Sequence, residues 1–222
     1  MATIRFAVPV LALAALLTPA AAGHTGAPRA TAVAIPAASR WGRAFGVPGL
    51  GALTAGGSAQ VSSVSCASAG NCAAGGVYAD SSGRGQGFVV SERRGVWRRA
   101  FEVPGLGALN ARGAAEVKAV SCASAGNCGA GGIYSPDHID ALGFVVSQRR
   151  GVWGRAIEVP GLSALTAGQA QVSSVSCASA GNCAAGGVYV DRSGHARGFV
   201  VSERSGVWRR AFEVPGLAVA RH

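Results

Sequence analysis

Hydrophobic and polar positions alternate over short stretches of this chain and never settle into a helical period. In the first of three similar units the extended runs are Val61 to Ala67, Cys72 to Tyr78, Gly87 to Glu92 and Val96 to Val103. Glycine-, serine- and asparagine-rich turns separate them. Alternation is clearest in the last run, which places Trp97, Phe101 and Val103 on one strand face and Arg98, Ala100 and Glu102 on the other. Short strands with turn signals between them predict an all-β fold.

The pattern returns twice. VSSVSCASAGNCAAGGVY (61–78), VKAVSCASAGNCGAGGIY (117–134) and VSSVSCASAGNCAAGGVY (172–189) each lead into GFVVS and then G-V-W. Cys66, Cys122 and Cys177 stand 56 and 55 residues apart, a period that signals an array burying its core by stacking copies. The repeats run over about 41–96, 97–152 and 153–208, with a terminal strand to 217. Three copies suit a β-trefoil, whereas the connectors suit a β-propeller. LGALTAGGSAQ, between Pro48 and Val61, can cross four strands, roughly 15 Å, and still step to the next sheet. Ala73, Ala74, Gly75 and Gly76 would also let neighbouring sheets approach closely. The expected architecture is a β-propeller-like array of three four-stranded blades, with the β-trefoil as the alternative. An extra edge strand is added because the chain opens on a fourth-strand segment, Trp41 to Val47, and closes on another, Val207 to Val214. Propellers usually hold about four to eight blades, so the alternatives are an open arc, two chains that complete each other, or a shortened relative of longer arrays, and a homo-oligomer is expected.

Units of the form SCxSxxxCxAxGxY…FVVSExxGxW…AxEVPG over residues 41 to 217 resemble a family of secreted repeat proteins from high-GC Gram-positive bacteria. The resemblance implies propeller-type blades without implying an activity. A more distant likeness is to the Asp-box turns of sialidase-type propellers. Ser91-Glu92-Arg93-Arg94-Gly95-Val96-Trp97 keeps the serine, glycine and tryptophan, has arginine where the aspartate belongs, and is one residue short.

The amino terminus reads as a secretory signal over 1–22, with a basic start (Met1 to Arg5), an apolar stretch (Phe6 to Leu17) and small residues at Ala20-Ala21-Ala22. The apolar stretch is too short for a membrane span of roughly 20 residues. Residues 23–40, rich in Ala, Pro and Thr, read as a flexible leader before a single β-repeat domain at 41–217. The expected location is extracellular.

Export changes the reading of the six cysteines. Each unit carries one C-x5-C: Cys66/Cys72, Cys122/Cys128 and Cys177/Cys183. Each pair flanks a five-residue turn, A-S-A-G-N, which would bring the two sulfurs face to face across a hairpin. Zinc would need four ligands, and no histidine repeats beside the cysteines, so neither metal nor cofactor is expected.

The net charge of +10 suits an anionic partner such as a glycan or cell-envelope polymer. Nucleic acid does not fit, because aromatic and basic residues are not interleaved and the chain is exported. A catalytic centre should break the repeat symmetry, so Tyr78, Tyr134, Tyr189, Trp97, Trp153 and Trp208 read as packing, and Glu102, Glu158 and Glu213 as solvated or ion-paired. Glycosidases need paired carboxylates about 5 to 9 Å apart, and no such pair stands out.

The differences between copies collect in the loop after the tyrosine: ADSSGRGQG (79–87), SPDHIDALG (135–143) and VDRSGHARG (190–198). Candidate binding residues are Asp80 and Arg84, then Asp137, His138 and Asp140, then Asp191, Arg192 and His195. The sequence therefore reads as a secreted, non-enzymatic binding or scaffold protein using blade loops. A divergent sialidase-like hydrolase or lyase, or a self-assembling envelope protein, are the alternatives.

Overall fold

A computed structural model describes residues 42–55 and 57–216. The expected signal peptide, the leader and Leu217 lie outside the described residues. Three antiparallel sheets follow one another. Blade 1 contains β1 (Ala59–Ser68), β2 (Asn71–Ala79), β3 (Gly85–Arg93), β4 (Val96–Trp97) and β5 (Phe101–Glu102). Blade 2 contains β6 (Glu116–Ser124), β7 (Asn127–Tyr134), β8 (Leu142–Arg149), β9 (Val152–Trp153) and β10 (Ile157–Glu158). Blade 3 contains β11 (Ala170–Ser179), β12 (Asn182–Val190), β13 (Ala196–Arg204), β14 (Val207–Trp208) and β15 (Phe212–Glu213). Each unit forms its own four-stranded sheet with a divided outer edge. The fold is an all-β, blade-like array and not a trefoil. Ala44–Val47, the spare copy of the outer-strand motif, lies outside the sheets.

The outer edge is divided by a bulge that the alternation pattern does not reveal. Glu92 opposes Trp97, but Val89 opposes Phe101, so the outer strand holds one more residue than its partner. An extra residue turns every later side chain to the opposite face. Trp97 and Phe101 therefore point to opposite faces, correcting the single face expected for Trp97, Phe101 and Val103. Ala100 becomes buried and Phe101 is left 41% exposed. The same offset recurs in blades 2 and 3.

The cysteine hairpin is tighter than expected. Ser68 opposes Asn71, leaving a two-residue turn, Ala69-Gly70, with Gly70 at φ 71°. Cys66 and Cys72 are directly opposite across β1 and β2, with Cα atoms 3.9 Å apart. Cys122–Cys128 and Cys177–Cys183 repeat this disulfide. The turn in turn supports the neighbouring β3–β4 turn: the Gly95 amide donates to the Gly70 carbonyl at 2.9 Å, and the Arg94 amide to Asn71 Oδ1 at 3.4 Å. Arg94 (φ 52°) and Gly95 (φ 78°) both adopt positive φ, as a twist-matched two-residue hairpin requires.

Neighbouring blades share their cores. Val89 and Val103 of blade 1 join Leu106, Val117, Phe144 and Trp153 of blade 2 in one buried cluster. Val145 and Val159 of blade 2 join Leu162, Val172, Phe199 and Trp208 of blade 3. The second-strand glycines make this possible. A methyl on Gly75 would meet Val117 Cγ1 at 2.5 Å, and one on Gly131 would meet Val172 Cγ1 at 2.7 Å. The connectors are short helical turns, unanticipated by the all-β reading: α1 (Leu50–Thr54), α2 (Leu106–Leu109) and a 3-10 turn at Leu162–Ala164. Each drops a leucine inward, and Leu106 and Leu162 are fully buried.

Polar contacts lock the seams. Ser65 Oγ accepts the Cys122 amide and Ser121 Oγ accepts the Cys177 amide, both at 3.0 Å. Ser91 Oγ accepts Gln148 Nε2 at 2.9 Å and Trp153 Nε1 at 3.4 Å. At the next seam Ser147 Oγ accepts Trp208 Nε1 at 2.9 Å and donates to Glu203 Oε1 at 2.8 Å.

Candidate functional site

Strand direction sorts the turns by end. The cysteine hairpins and the β3–β4, β8–β9 and β13–β14 turns lie at one end of the blades; the variable loops and helical connectors lie at the other. The first two variable loops are each tied to the following blade. Gly85 donates its amide to the Gly113 carbonyl at 2.9 Å and accepts the Ala115 amide at 3.0 Å. Ala141 does the same with Gly168 and Ala170. Asn110, 2% exposed, anchors the first of these junctions: Nδ2 donates to the Gly85 carbonyl and Gln86 Oε1, while Oδ1 accepts the Ala114 and Ser135 amides. The sequence hid this hub because threonine fills the matching positions, Thr54 and Thr166.

Three of the candidate acids hold their own turns. Asp80 Oδ1 accepts the Ser82 and Arg84 amides, and Oδ2 accepts Gln86 Nε2 and Arg84 Nε. Asp137 Oδ1 accepts the Ile139 and Asp140 amides. Asp191 accepts the Ser193 and His195 amides and Arg197 Nε. Donors aimed at a carboxylate favour its charged form. The Arg84 amide and the Gln86 side chain hold Asp80 below the ordinary value, and the Asp140 and Ile139 amides do so for Asp137. The His195 amide and the Arg197 guanidinium bring Asp191 down to about 2.

Two of the candidate cations lie beside these acids, Arg84 Nε 3.3 Å from Asp80 Oδ2 and His195 Nδ1 3.7 Å from Asp191 Oδ1, yet all four reach solvent. His138, Arg192 and His195 are exposed, as is Ile139 beside them, and the Arg84 side chain is half exposed. Asp140 is half-buried. The Asp137, His138 and Asp140 trio is thus divided between a turn-forming acid, an outward histidine and a sheltered acid. Among the described residues no group of three His, Cys, Asp or Glu side chains is arranged to hold a metal ion.

The repeated glutamates have partners that the sequence reading missed. Tyr78, Tyr134 and Tyr189 donate their hydroxyls to Glu102, Glu158 and Glu213 at 3.3, 3.2 and 2.7 Å. Burial, then the neighbouring carboxylate, pushes Tyr78 up to about 12 and raises Tyr134. Tyr189, buried against Glu213, also rises to about 12. A tyrosine-to-glutamate spacing of 24 residues, kept in all three units, was the available signal.

A groove of about 560 Å³ lies away from the loops, on the outer seam between blades 2 and 3. Val145, Val152 and Ile157 are among its apolar lining residues, with Arg149 and Arg155 beside them.

Comparison of the chain with known protein families and with curated proteins gives no match. Three disulfide pairs are consistent with an extracellular location. No helix among the described residues is long and apolar enough to cross a membrane.

Proposed function

We propose that this is an exported, non-enzymatic binding or scaffold protein whose loop end engages an anionic partner, a glycan or cell-envelope polymer. One observation carries the reading: the acids are engaged within the fold, while His138 and Arg192 face outward and Arg84 and His195, each beside its loop's aspartate, stay exposed. Every acidic side chain except Glu92 and Asp140 has a hydrogen-bond or ionic partner among the described residues. Asp80, Asp137 and Asp191 hold turns. Glu102, Glu158 and Glu213 hold tyrosines, and Glu116 and Glu203 hold serines. Carboxylates engaged in this way are poorly placed for paired acid–base work. Arg84, His138, Arg192 and His195 remain at the loop tips of a chain with net charge +10. Such a surface attracts polyanions through a field that salt screens beyond about 8 Å at physiological ionic strength.

The test is a titration against hyaluronate, with neutral dextran as the control, at low and physiological salt. Hyaluronate should bind, salt should weaken the binding, and the pair Arg84→Ala/Arg192→Ala should lose several-fold in affinity. Equal binding of dextran would overturn the reading. So would an equal loss from Arg94→Ala/Arg150→Ala at the opposite end.

A further inference from the structure

The two ends of the array are the two halves of a seam that the chain already builds twice. At the internal seams Val117 and Val172 are fully buried against the preceding blade, and Val120 is 7% exposed. Their counterparts in blade 1, Val61 and Val64, are 43% and 61% exposed. The opposite surface shows the matching loss. Ala73, Val89 and Val145 are fully buried, whereas Ala184 is exposed and Val200 only half-buried. Blade 1 thus presents the knobs of a seam, and blade 3 presents the face that receives them.

The polar locks are left open in the same complementary way. Ser202 of blade 3 is the counterpart of Ser91 and Ser147, each of which receives a tryptophan indole and a Glu or Gln from the next blade. Trp97 and Glu92 of blade 1 are the counterparts of those donors and acceptors. Glu92 is also one of the two acids without a partner among the described residues. Ser176 matches Ser65 and Ser121, which cap the Cys122 and Cys177 amides, and the Cys66 amide is the matching donor. Arginine crosses each seam too: Arg93 Nη2 donates to the Arg150 carbonyl at 3.3 Å, and Arg149 Nη2 lies 3.8 Å from Glu203 Oε1. Arg204 is the third copy, exposed at the open end, and Glu92 is the acid it would meet.

We propose that two copies of this chain join head to tail, blade 3 of each against blade 1 of the other, closing a six-blade ring. The occupant of each open face is a second copy because the internal seams specify, residue by residue, what that face accepts. Two is the number because propellers hold about four to eight blades: one chain supplies too few and three would supply nine. A heterologous contact made twice closes the ring and leaves no open end. Ala44–Val47 does not block it. Val47 and Leu50 are already packed on blade 1 and remain, while Phe45, 69% exposed, gives way to Phe212–Glu213 of the other copy. The duplicate turn Val214–Gly216 of that copy, part-exposed, yields in exchange. This assembly is independent of what the loops bind.

Sedimentation of the full chain should give one concentration-dependent species of twice the monomer mass. Glu92→Arg alone and Arg204→Glu alone should each be monomeric, because each places like charges at both joints. An equimolar mixture of these two variants should recover the dimer, since both joints become complementary again. Unchanged far-UV circular dichroism of each variant keeps misfolding from imitating the result. A monomer at every accessible concentration, a higher oligomer, dimers indifferent to both variants, or a mixture that stays monomeric would each overturn the proposal.

Discussion

Shortening one valine at a closed seam, and its counterpart at an open one, separates seam packing from strand propensity. Val117 is fully buried, and a methyl added at Gly75 or Gly87 would meet it at 2.5 or 3.5 Å. Val117→Ala removes two methyl groups, about 1.6 kcal/mol of transfer free energy at ~0.8 per buried carbon. A residual cavity of roughly 40 Å³ adds about 1 kcal/mol. The expected loss is therefore about 2.5 kcal/mol, or roughly 5–10 °C in Tm for a domain of this size. Val61→Ala makes the same change at the same strand position, but Val61 is 43% exposed and has no preceding blade. Its cost should stay below about 1 kcal/mol, since it leaves no enclosed cavity. The assay is urea unfolding followed by tryptophan fluorescence, at concentrations low enough to keep the chain monomeric. Equal losses at the two positions would refute seam packing as the source of stability.

Two further outcomes follow from the same geometry. Replacing Cys122 and Cys128 by serine opens a loop with a sequence separation of 6 and should cost about 2 kcal/mol without changing far-UV circular dichroism; no change in the urea midpoint would contradict it. Tyr78, Tyr134 and Tyr189 are the only tyrosines, so tyrosinate absorbance should rise with a midpoint well above the ordinary 10, near 12 for Tyr78 and Tyr189. Because the folded value is the higher one, this stability is intact below pH 10 and disappears as pH climbs from about 10 to 12. A midpoint near 10 in the folded protein would remove the tyrosine–glutamate contact from the account.

The repeat made the architecture readable, and its departures from ideal geometry did not show. Three blades, the cysteine pairing and the close approach at Gly75 were all visible, because each depends on residue type and spacing alone. The opposed faces of Trp97 and Phe101 were hidden, since a bulge changes pairing without changing composition. The five-residue turn around Ala69 shrank to two because strand pairing extends past the disulfide to Ser68 and Asn71. At the candidate loops the three leading acids hold turns, a role the sequence did not show. Asp80, Asp137 and Asp191 stood out as variable-loop acids, but an acid at the head of a turn satisfies nearby amides before it meets a ligand. Ser91 and Ser147 drew no notice in the sequence, because nothing in a single unit shows that they join one blade to the next.

Thiol partners six positions apart have a consequence for oxidative maturation. Units this similar in sequence invite cross-linking between equivalent places, and every wrong link must close a far longer loop. Local encounter therefore favours the correct sulfur, since a loop of about ten residues closes within roughly 10–100 ns. Each hairpin can be sealed as soon as its own strands exist, before any neighbour has been reached.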